Sequence, residues 1–346
     1  MKMLLYSADR GAAPERELYE GLKRALGSKN VTLYKPKVYG HTTEHTLPAG
    51  ALDSSELRER IDEFDCIFMF YSSFPDKDFE YVLNKRNGST KIFVDGVDDF
   101  FVRRIYNHPE IKYYLKRELY RTRPTLPYSA VWGARYLYEM AHIELNINYK
   151  WIFSKWAGIV GTAWKDGYRK MRPFPLMIVP KGARTAAKRE YDLSFMGHIN
   201  SMDRLTYANA AESIGKHLGL RVYVSRDYFN PKPALSKEEY LKVLSSSKAG
   251  LSTRGIGYDT YRYWEIPCYG SMLISQRLPI VIPDDFVEGE SALYFSSREE
   301  LESKVEKYLM KSDEWREIER NGQRHFFRHH TPEERVKRLV LNLIKE

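Results

Sequence analysis

The sequence has very little cysteine: Cys66 and Cys268 are the two cysteines among 346 residues, and they lie far apart along the chain. Two distant cysteines exclude a disulfide framework and a zinc site built from cysteine thiolates. Such scarcity is typical of a reducing compartment. We therefore expect a cytoplasmic protein that depends on its core rather than on covalent cross-links.

The chain also lacks an uncharged apolar run long enough to span a membrane. The apolar run within residues 1–11 is too short for a signal peptide, and we interpret it as a first buried strand. Residues 151–164 are the most apolar internal stretch, but Lys155 interrupts them. They are predicted to be a core segment. A patch that contacts a membrane surface through tryptophans is the alternative, so peripheral membrane association stays open.

Acidic residues are fewer than basic ones, 46 against 55, which gives a formal net charge of +9. A basic excess attracts phosphate-containing partners such as nucleic acid, anionic lipid or a phosphate-containing polymer. Charge alone does not choose among these partners. A generally basic surface composition in the source organism explains the excess equally well. The length fits two domains, and 43% hydrophobic with 29% charged residues is typical of globular proteins.

Two regions of the chain show alternating strand-like and helix-like segments. In the first half, buried strands are predicted over 2–7, 31–35, 66–71 and 91–96, with helices between them. A further helix is predicted over 109–121, where the sequence reads PEIKYYLKRELYR. The alternation restarts near Tyr191. It predicts an α/β protein with two Rossmann-like, doubly wound domains that face a cleft.

We place the domain boundaries from composition. A basic, proline-containing stretch over 165–190 indicates a connection. The prediction is an N-terminal domain over 1–185, which includes that connection, and a C-terminal domain over 186–330. A last helix within 331–346 is expected to pack back toward the N-terminal domain.

The most informative motif is STRGIGYDTYRYWEIPCYGSMLIS, residues 252–275. It reads as a strand, a glycine-containing turn, a helix that carries Glu265 and a second strand. A glycine-containing turn at a helix N-terminus makes an anion site, because free N–H groups and the helix dipole point at it. A carboxylate about two turns further can meet hydroxyl groups attached to that anion. This combination suggests a nucleotide-sugar.

Four segments, in this order, resemble the C-terminal domain of GT-B glycosyltransferases, in particular the subgroup related to spore-maturation glycosyltransferases. They are FMGH with the following Arg204, the motif of residues 252–275, ALYFSSREELESKVEKYL, and RNGQRHFFRHHTPEERV. The resemblance covers roughly residues 191–340. It implies sugar transfer from a nucleotide-diphosphate-sugar held by the C-terminal domain, with the acceptor on the N-terminal domain and without a required metal or other cofactor.

The resemblance assigns Glu265 to the ribose hydroxyls of the donor, since an ionised carboxylate accepts two hydroxyl hydrogens. The alternative is a surface glutamate paired with a neighbour such as Arg262. Many retaining members have a second glutamate eight positions earlier, and here that position is Gly257. Asp259 is the candidate substitute, and an N-cap is its alternative role. The missing glutamate leaves sugar identity and stereochemistry open.

Further donor-binding residues are predicted on both sides of the turn. The arginines are expected to neutralise the diphosphate, and the glycines and Thr260 to bring backbone N–H groups close to it. Turn, helix-start and strand-end roles without a ligand are the alternatives. The full predicted set, besides Glu265, is Gly197, His198, Arg204, Arg254, Gly255, Gly257, Tyr258, Thr260 and Tyr261.

A catalytic base is sought in the N-terminal half. Asp95 and Asp98 follow an apolar strand, and a carboxylate there could deprotonate an acceptor hydroxyl. Turn capping is the ordinary role of such aspartates, and His41 or His45 is the alternative base. Binding of a divalent metal by the aspartates is also open chemically, although the resemblance argues against it.

Lys116 and Arg117 could contact an acidic or phosphate-containing acceptor. An exposed, charged helix face is the ordinary interpretation of that segment.

Two rival functions remain at the level of sequence. One is a glycosyltransferase that acts on nucleic acid bases, which the basic charge and the 26 tyrosines allow without favouring it. The other is a non-catalytic protein that binds nucleotides or sugars on the same fold. Steeply salt-dependent affinity for DNA or RNA distinguishes the first, and binding without turnover distinguishes the second.

Overall fold

The computed structural model describes the chain in eleven segments: 1–6, 13–34, 51–70, 77–96, 104–121, 169–182, 188–199, 201–227, 235–255, 257–311 and 313–345. The described residues divide between two compact units. Unit 1 contains those of Met1–Leu119, Asn148–Val179 and Thr331–Glu346. Unit 2 contains those of Tyr120–Ile147 and Pro180–His330.

Unit 1 contains a parallel sheet in which six strands are described, in the order β2-β1-β3-β4-β5-β6. The strands are β1 (Met3–Tyr6), β2 (Val31–Tyr34), β3 (Cys66–Phe70), β4 (Thr90–Asp95), β5 (Ile111–Lys116) and β6 (Met171–Pro173). The helices of this unit are α1 (Ala13–Leu26), α2 (Ser54–Arg60), α3 (Lys77–Asn84), α9 (Pro332–Arg335) and α10 (Asn342–Lys345), the last two joined by a π-helical turn, Val336–Leu341.

Both faces of the unit 1 sheet are buried. Successive side chains of a strand point to opposite faces, and the two sets lie in separate apolar clusters. Leu5 and Phe68 pack on one face with Leu22 of α1. Leu4 packs on the other face with Leu57 of α2. Continuous apolar runs such as CIFMF are therefore accommodated without exposing either half of the run.

The C-terminal helices of unit 1 pack closely on α1. A Cβ on Gly21 of α1 would lie 2.6 Å from the carbonyl oxygen of Pro332, so glycine permits the approach. Arg335 is buried, and its Nη1 donates to the carbonyl oxygen of Pro175 at 2.7 Å. The contact therefore combines close backbone packing with a buried hydrogen bond from a charged group.

Unit 2 contains a second parallel sheet, with five described strands in the order β11-β10-β9-β7-β8. The strands are β7 (Tyr191–His198), β8 (Val222–Asp227), β9 (Ser247–Ser252), β10 (Met272–Gln276) and β11 (Leu293–Phe295). The helices are α4 (Met202–Leu218), α5 (Lys237–Ser245), α6 (Tyr261–Cys268), α7 (Arg298–Val305), continued by a π-helical turn (Glu306–Met310), and α8 (Trp315–His329).

The strand order of unit 2 places a topological switch point between β7 and β9. The chain leaves β7 toward β8 on one side and later enters β9 on the other. In open parallel sheets, ligands bind outside the carboxyl ends of the strands at such a point. The segments that follow β7 and β9 are therefore expected to contact a ligand, and both contain residues predicted from the sequence.

The prediction of two parallel α/β sheets is confirmed, but the predicted helix over 109–121 is wrong. Its central residues form strand β5, Ile111–Lys116, between β4 and β6. The tyrosines of this segment favour a pleated, buried surface, and sheet packing overrides the helical spacing of the charges. Strand β6 was assigned to a connection. It is short, and its Pro173 suits an edge position.

Candidate functional site

A tight turn joins β9 to α6 at the switch point of unit 2. The backbone N–H of Gly255 donates to the carbonyl oxygen of Gly257 at 2.8 Å. Thr260 is the N-cap of α6, but its side chain does not cap the helix. Instead, its Oγ1 lies 3.4 Å from Oγ of Ser252, the last residue of β9. The first N–H groups of α6, which have no acceptor within the helix, thus lie directly after the glycine turn in the chain.

Arg204 connects this turn to the end of β7. It lies in the first turn of α4, where Ser201 caps the helix by accepting from its backbone N–H at 3.2 Å. Its Nη1 donates to the carbonyl oxygen of His198 at 2.8 Å. A Cβ on Gly255 would lie 2.6 Å from its Nη2. Gly255 is therefore required for the close approach of a guanidinium group.

Arg254 is buried beside the same turn and pairs with a carboxylate that sequence reasoning missed. Its Nε donates to Oδ2 of Asp203, and Gln276 donates to the same oxygen at 3.3 Å. The Gln276 side chain also accepts from the backbone N–H of Arg254 at 3.2 Å. The sequence signal for Asp203 is its position in the first turn of a helix, where acidic residues are favoured.

Glu265 lies on α6, half buried, with its Oε2 accepting a 2.7 Å hydrogen bond from the hydroxyl of Tyr240 on α5. Burial raises the pKa of Glu265, and the Tyr240 hydrogen bond and the positive charges of Arg262 and Lys237 oppose that rise. Among the described residues, Tyr240 is the side chain that donates to this carboxylate. Tyr240 was not predicted, because nothing in the sequence of α5 points to a residue 25 positions away.

Arg262, one turn before Glu265, is buried and only 6% exposed. Its Nη1 donates to the carbonyl oxygen of Met196 in β7. A Cβ on Gly197 would lie 1.6 Å from that nitrogen, and Gly197 has a φ of +152°, a value that side chains rarely adopt. Arg262 is thus not the surface partner of Glu265 that the alternative interpretation expected.

The remaining predicted residues of this segment have mixed surroundings. The Asp259 carboxylate is buried and accepts from Nε1 of Trp264 at 2.7 Å, while the N-cap position belongs to Thr260. The Tyr258 ring lies 5.8 Å from Cζ of Arg254. Tyr261 is exposed, at the start of α6, and His198 is exposed at the end of β7. The assignment of Asp259 to the donor sugar stays a prediction.

The candidate base Asp95 lies in unit 1, at the end of β4, and is completely buried. Its Oδ2 accepts from the hydroxyl of Tyr114 at 2.6 Å and from Nζ of Lys116 at 3.0 Å. Lys116 is also buried, so its predicted place on an exposed helix face is wrong. Arg117 follows the strand and donates to the carbonyl oxygen of Gly96 at 3.3 Å.

Several predicted residues lie outside the described part of the chain. They are Asp98 and its neighbour Asp99, the alternative bases His41 and His45, and the apolar stretch 151–164. Within the described segments, no three His, Cys, Asp or Glu side chains form a group that could hold a metal ion. No helix in those segments is long and apolar enough to cross a membrane.

Comparison with known proteins gives similarities to one family model and to the fold of several solved structures. The family model described as glycosyl transferase-like matches residues 204–340, which begin in α4 and run beyond α9. No curated protein sequence matches the chain.

Solved structures of similar architecture include an alpha-glucosyltransferase in complex with UDP, with a TM-score of 0.57, 9% identity and 100% of both chains covered. Another alpha-glucosyltransferase structure, with UDP and a 13-mer DNA containing an HMU base, has a TM-score of 0.53, 9% identity and the same coverage. HepE from Anabaena, in complex with UDP and glucose, has a TM-score of 0.52 and 8% identity over 99% of this chain and 100% of HepE.

The chain spans 55% of the length of TarM, whose structure matches 81% of this chain with a TM-score of 0.48 and 10% identity. The full-length similarities show that the chain has the α/β fold of GT-B glycosyltransferases, and residues 204–340 are similar to the glycosyl transferase-like family model. Membership of the spore-maturation subgroup stays a prediction.

Proposed function

We propose that this protein is a glycosyltransferase that moves a sugar from a nucleotide-diphosphate-sugar to an acceptor, with the donor nucleotide bound by unit 2. The observation that carries the proposal is the placement of Glu265. It presents a half-buried carboxylate on α6, the helix that follows the glycine turn at the switch point. Binding of UDP by the similar alpha-glucosyltransferase and HepE supports the same class of donor.

In the proposed arrangement, the diphosphate lies at the turn between β9 and α6. Two guanidinium groups, of Arg204 and Arg254, lie beside that turn, and one carboxylate, Asp203, pairs with the second of them. Asp259 adds a second carboxylate to this turn, so the diphosphate would be held by the individual donors, the two guanidinium groups and the N–H groups at the start of α6, rather than by a net positive charge. Such groups stabilise the leaving nucleoside diphosphate as negative charge develops on it.

The ribose is assigned to Glu265, whose carboxylate has lone pairs beyond the one that Tyr240 occupies. Binding at both ends of the nucleotide would fix the donor sugar in one orientation, which accelerates transfer by positioning. The catalytic base is a prediction from sequence: Asp98 lies outside the described residues, and Asp95 already accepts from Tyr114 and Lys116.

Thermal unfolding in the presence of UDP, ADP and GDP tests the donor site. A ligand at 100 times its dissociation constant stabilises the folded state by about 2.7 kcal/mol. For a domain of this size each kcal/mol raises Tm by roughly 2–4 °C. We expect a shift with one nucleoside diphosphate, lost in Glu265→Gln and kept in the matched control Glu317→Gln, an exposed residue of α8.

Turnover distinguishes the proposal from a binding protein without activity. The nucleotide-sugar of the bound nucleotide should be hydrolysed slowly on its own and faster with a suitable acceptor, whereas a binding protein would show the Tm shift alone. The absence of a required metal is a prediction, which unchanged turnover in EDTA would support. If no nucleoside diphosphate raised Tm, the assignment of unit 2 as a donor site would be wrong.

A second candidate is transfer of the sugar to a nucleic acid base. The net charge of +9 and the fold shared with an alpha-glucosyltransferase bound to DNA favour testing it. Binding through phosphate contacts would weaken steeply with salt: the logarithm of the binding constant falls linearly with the logarithm of the salt concentration. Affinity for single- and double-stranded DNA measured between low and physiological salt decides between nucleic acid and another acceptor.

A further inference from the structure

We propose that Tyr240 is a positioning residue that holds the Glu265 carboxylate for the ribose hydroxyls of the donor nucleotide, with Arg262, one turn earlier on the same helix, as the buried charge that balances it. This inference rests on the proposed function, because it assumes that Glu265 receives the ribose. It assigns a role to two residues outside the predicted donor-binding set, one on α5 and one buried on α6. Neither residue needs to touch the reacting atoms.

Tyr240 determines which part of the carboxylate is available. Its hydroxyl is 2.7 Å from Oε2 of Glu265, and burial raises the pKa of the phenol well above its ordinary value, as does the negative charge of Glu265. The phenol therefore stays a donor at physiological pH. With Oε2 held from the α5 side, the χ angles of Glu265 are restrained, and Oε1 is the oxygen left for a ligand hydroxyl. A restrained acceptor loses less conformational entropy on binding.

Arg262, three residues before Glu265 on α6, supplies a buried positive charge that acts on that carboxylate. Its guanidinium is held by the carbonyl oxygen of Met196, lies 5.1 Å from the Phe195 ring centroid, and fills the space that a side chain at position 197 would need. Its Nε and Nη2 have no hydrogen-bond partner among the described residues. A buried cation without a carboxylate contact is costly, and the charge of Glu265, on the same helix, compensates it through space.

The groups around Glu265 act on its charge in a consistent direction. Tyr240 donates to it from α5, and the positive charges of Lys237 on α5 and Arg262 on its own helix act in the same direction, so all three lower its pKa against the effect of burial. Cys268 and Tyr269, at the end of the same helix, stay neutral because burial and the charge of Glu265 raise their pKa values. These three interactions favour the ionised carboxylate, the form that accepts two hydroxyl hydrogens, while burial, the largest effect, leaves the pKa of Glu265 raised.

Comparison of UDP with 2′,3′-dideoxy-UDP measures the ribose contribution separately from folding. We expect the parent protein to prefer UDP, and Tyr240→Phe to lose about tenfold of that preference, which corresponds to about 1.4 kcal/mol. A residue needed only for folding would weaken both ligands equally. Tyr308→Phe is the matched control, since the hydrogen bond of that hydroxyl within the described segments is an exposed one, donated by Lys307. An unchanged preference in Tyr240→Phe would overturn the inference.

A titration without ligand separates this inference from the proposed function. The side-chain carboxyl ¹³C shift of Glu265 reports its ionisation directly. Its midpoint should move to higher pH in Tyr240→Phe and in Arg262→Met, and Arg262→Lys should return it toward the parent value because the charge is restored. Unchanged midpoints in folded variants would overturn the inference, whatever the ligand results.

If the midpoints move but UDP, ADP and GDP all fail to bind the parent protein, the positioning of Glu265 stands. The proposed function then fails, and its ribose role fails with it.

Discussion

Replacing Gly197 by alanine should destabilise unit 2 strongly, because two separate costs arise at the end of β7. The backbone of Gly197 has a φ of +152°, and an added Cβ would lie 1.6 Å from Nη1 of Arg262. Holding a residue with a side chain in a sparsely populated backbone region costs about 1–3 kcal/mol. Displacing Arg262 from the carbonyl oxygen of Met196 removes a hydrogen bond from a charged group, worth about 1.5–3 kcal/mol.

Together these costs predict a loss of about 2.5–6 kcal/mol, or a fall in Tm of at least roughly 5 °C for a domain of this size. Differential scanning calorimetry of Gly197→Ala against the parent protein measures the effect. Gly219→Ala is the control. That glycine ends α4 with a φ of +65°, and a Cβ added there would meet no atom within 4 Å. Only the backbone cost of about 1–2 kcal/mol should appear there.

The double variant Gly197→Ala/Arg262→Ala separates the collision from the backbone cost. Without the guanidinium the added Cβ has space, so the double variant should be less destabilised than the sum of the two single variants. Additive losses, or a Gly197→Ala protein as stable as the parent, would contradict the packing described for this strand end.

Three further predictions concern stability. Asp95→Asn should cost about 3–5 kcal/mol by chemical denaturation, because it removes the negative charge that is ion-paired with the buried Lys116 ammonium, and Asp95→Leu/Lys116→Met should recover much of that loss. The Asp192 carboxylate, which accepts from Arg221, has its pKa lowered to about 2. Its contribution should be present above the unfolded pKa near 3.8 and disappear as pH falls toward 2, so Asp192→Asn should be destabilised at pH 7 and match the parent near pH 2 in denaturation midpoints. Ser201→Ala should cost about 1–2 kcal/mol in thermal unfolding, because it removes the N-cap of α4 and the buried hydrogen bond that the hydroxyl donates to the carbonyl oxygen of Arg254, and Ser201→Thr, which keeps the hydroxyl, should restore part of the loss.

Local signals predicted the elements that form the candidate site. Helix α4 follows a serine cap and ends before Gly219, and the glycine-rich turn separates β9 from α6, as the residue types indicate. The alternation of strands and helices predicted from Tyr191 onward is found in unit 2, because its strands are short apolar runs between polar turns. Arg204 and Gly255 were chosen for phosphate chemistry, and the structure adds their mutual contact.

Local signals failed where two patterns overlap. The segment that became β5 carries charges at helical spacing and tyrosines suited to a strand, and its neighbours β4 and β6 decided the outcome. Lys116 was then misplaced on a solvent-exposed face. Its pairing with Asp95 follows from the register of two parallel strands, in which these residues are direct partners. That register is not encoded by either segment alone.

Apolar periodicity, caps and glycines act over a few neighbouring residues, so two α/β halves, a glycine turn before a helix and an acidic residue on that helix could be predicted from the sequence. Which side chains meet depends instead on tertiary packing. Tyr240 reaches Glu265 across 25 positions, and Arg254 pairs with Asp203 across 51. Such contacts depend on how helices pack over the sheet, where burial, rather than proximity along the chain, determines the neighbours of each polar group.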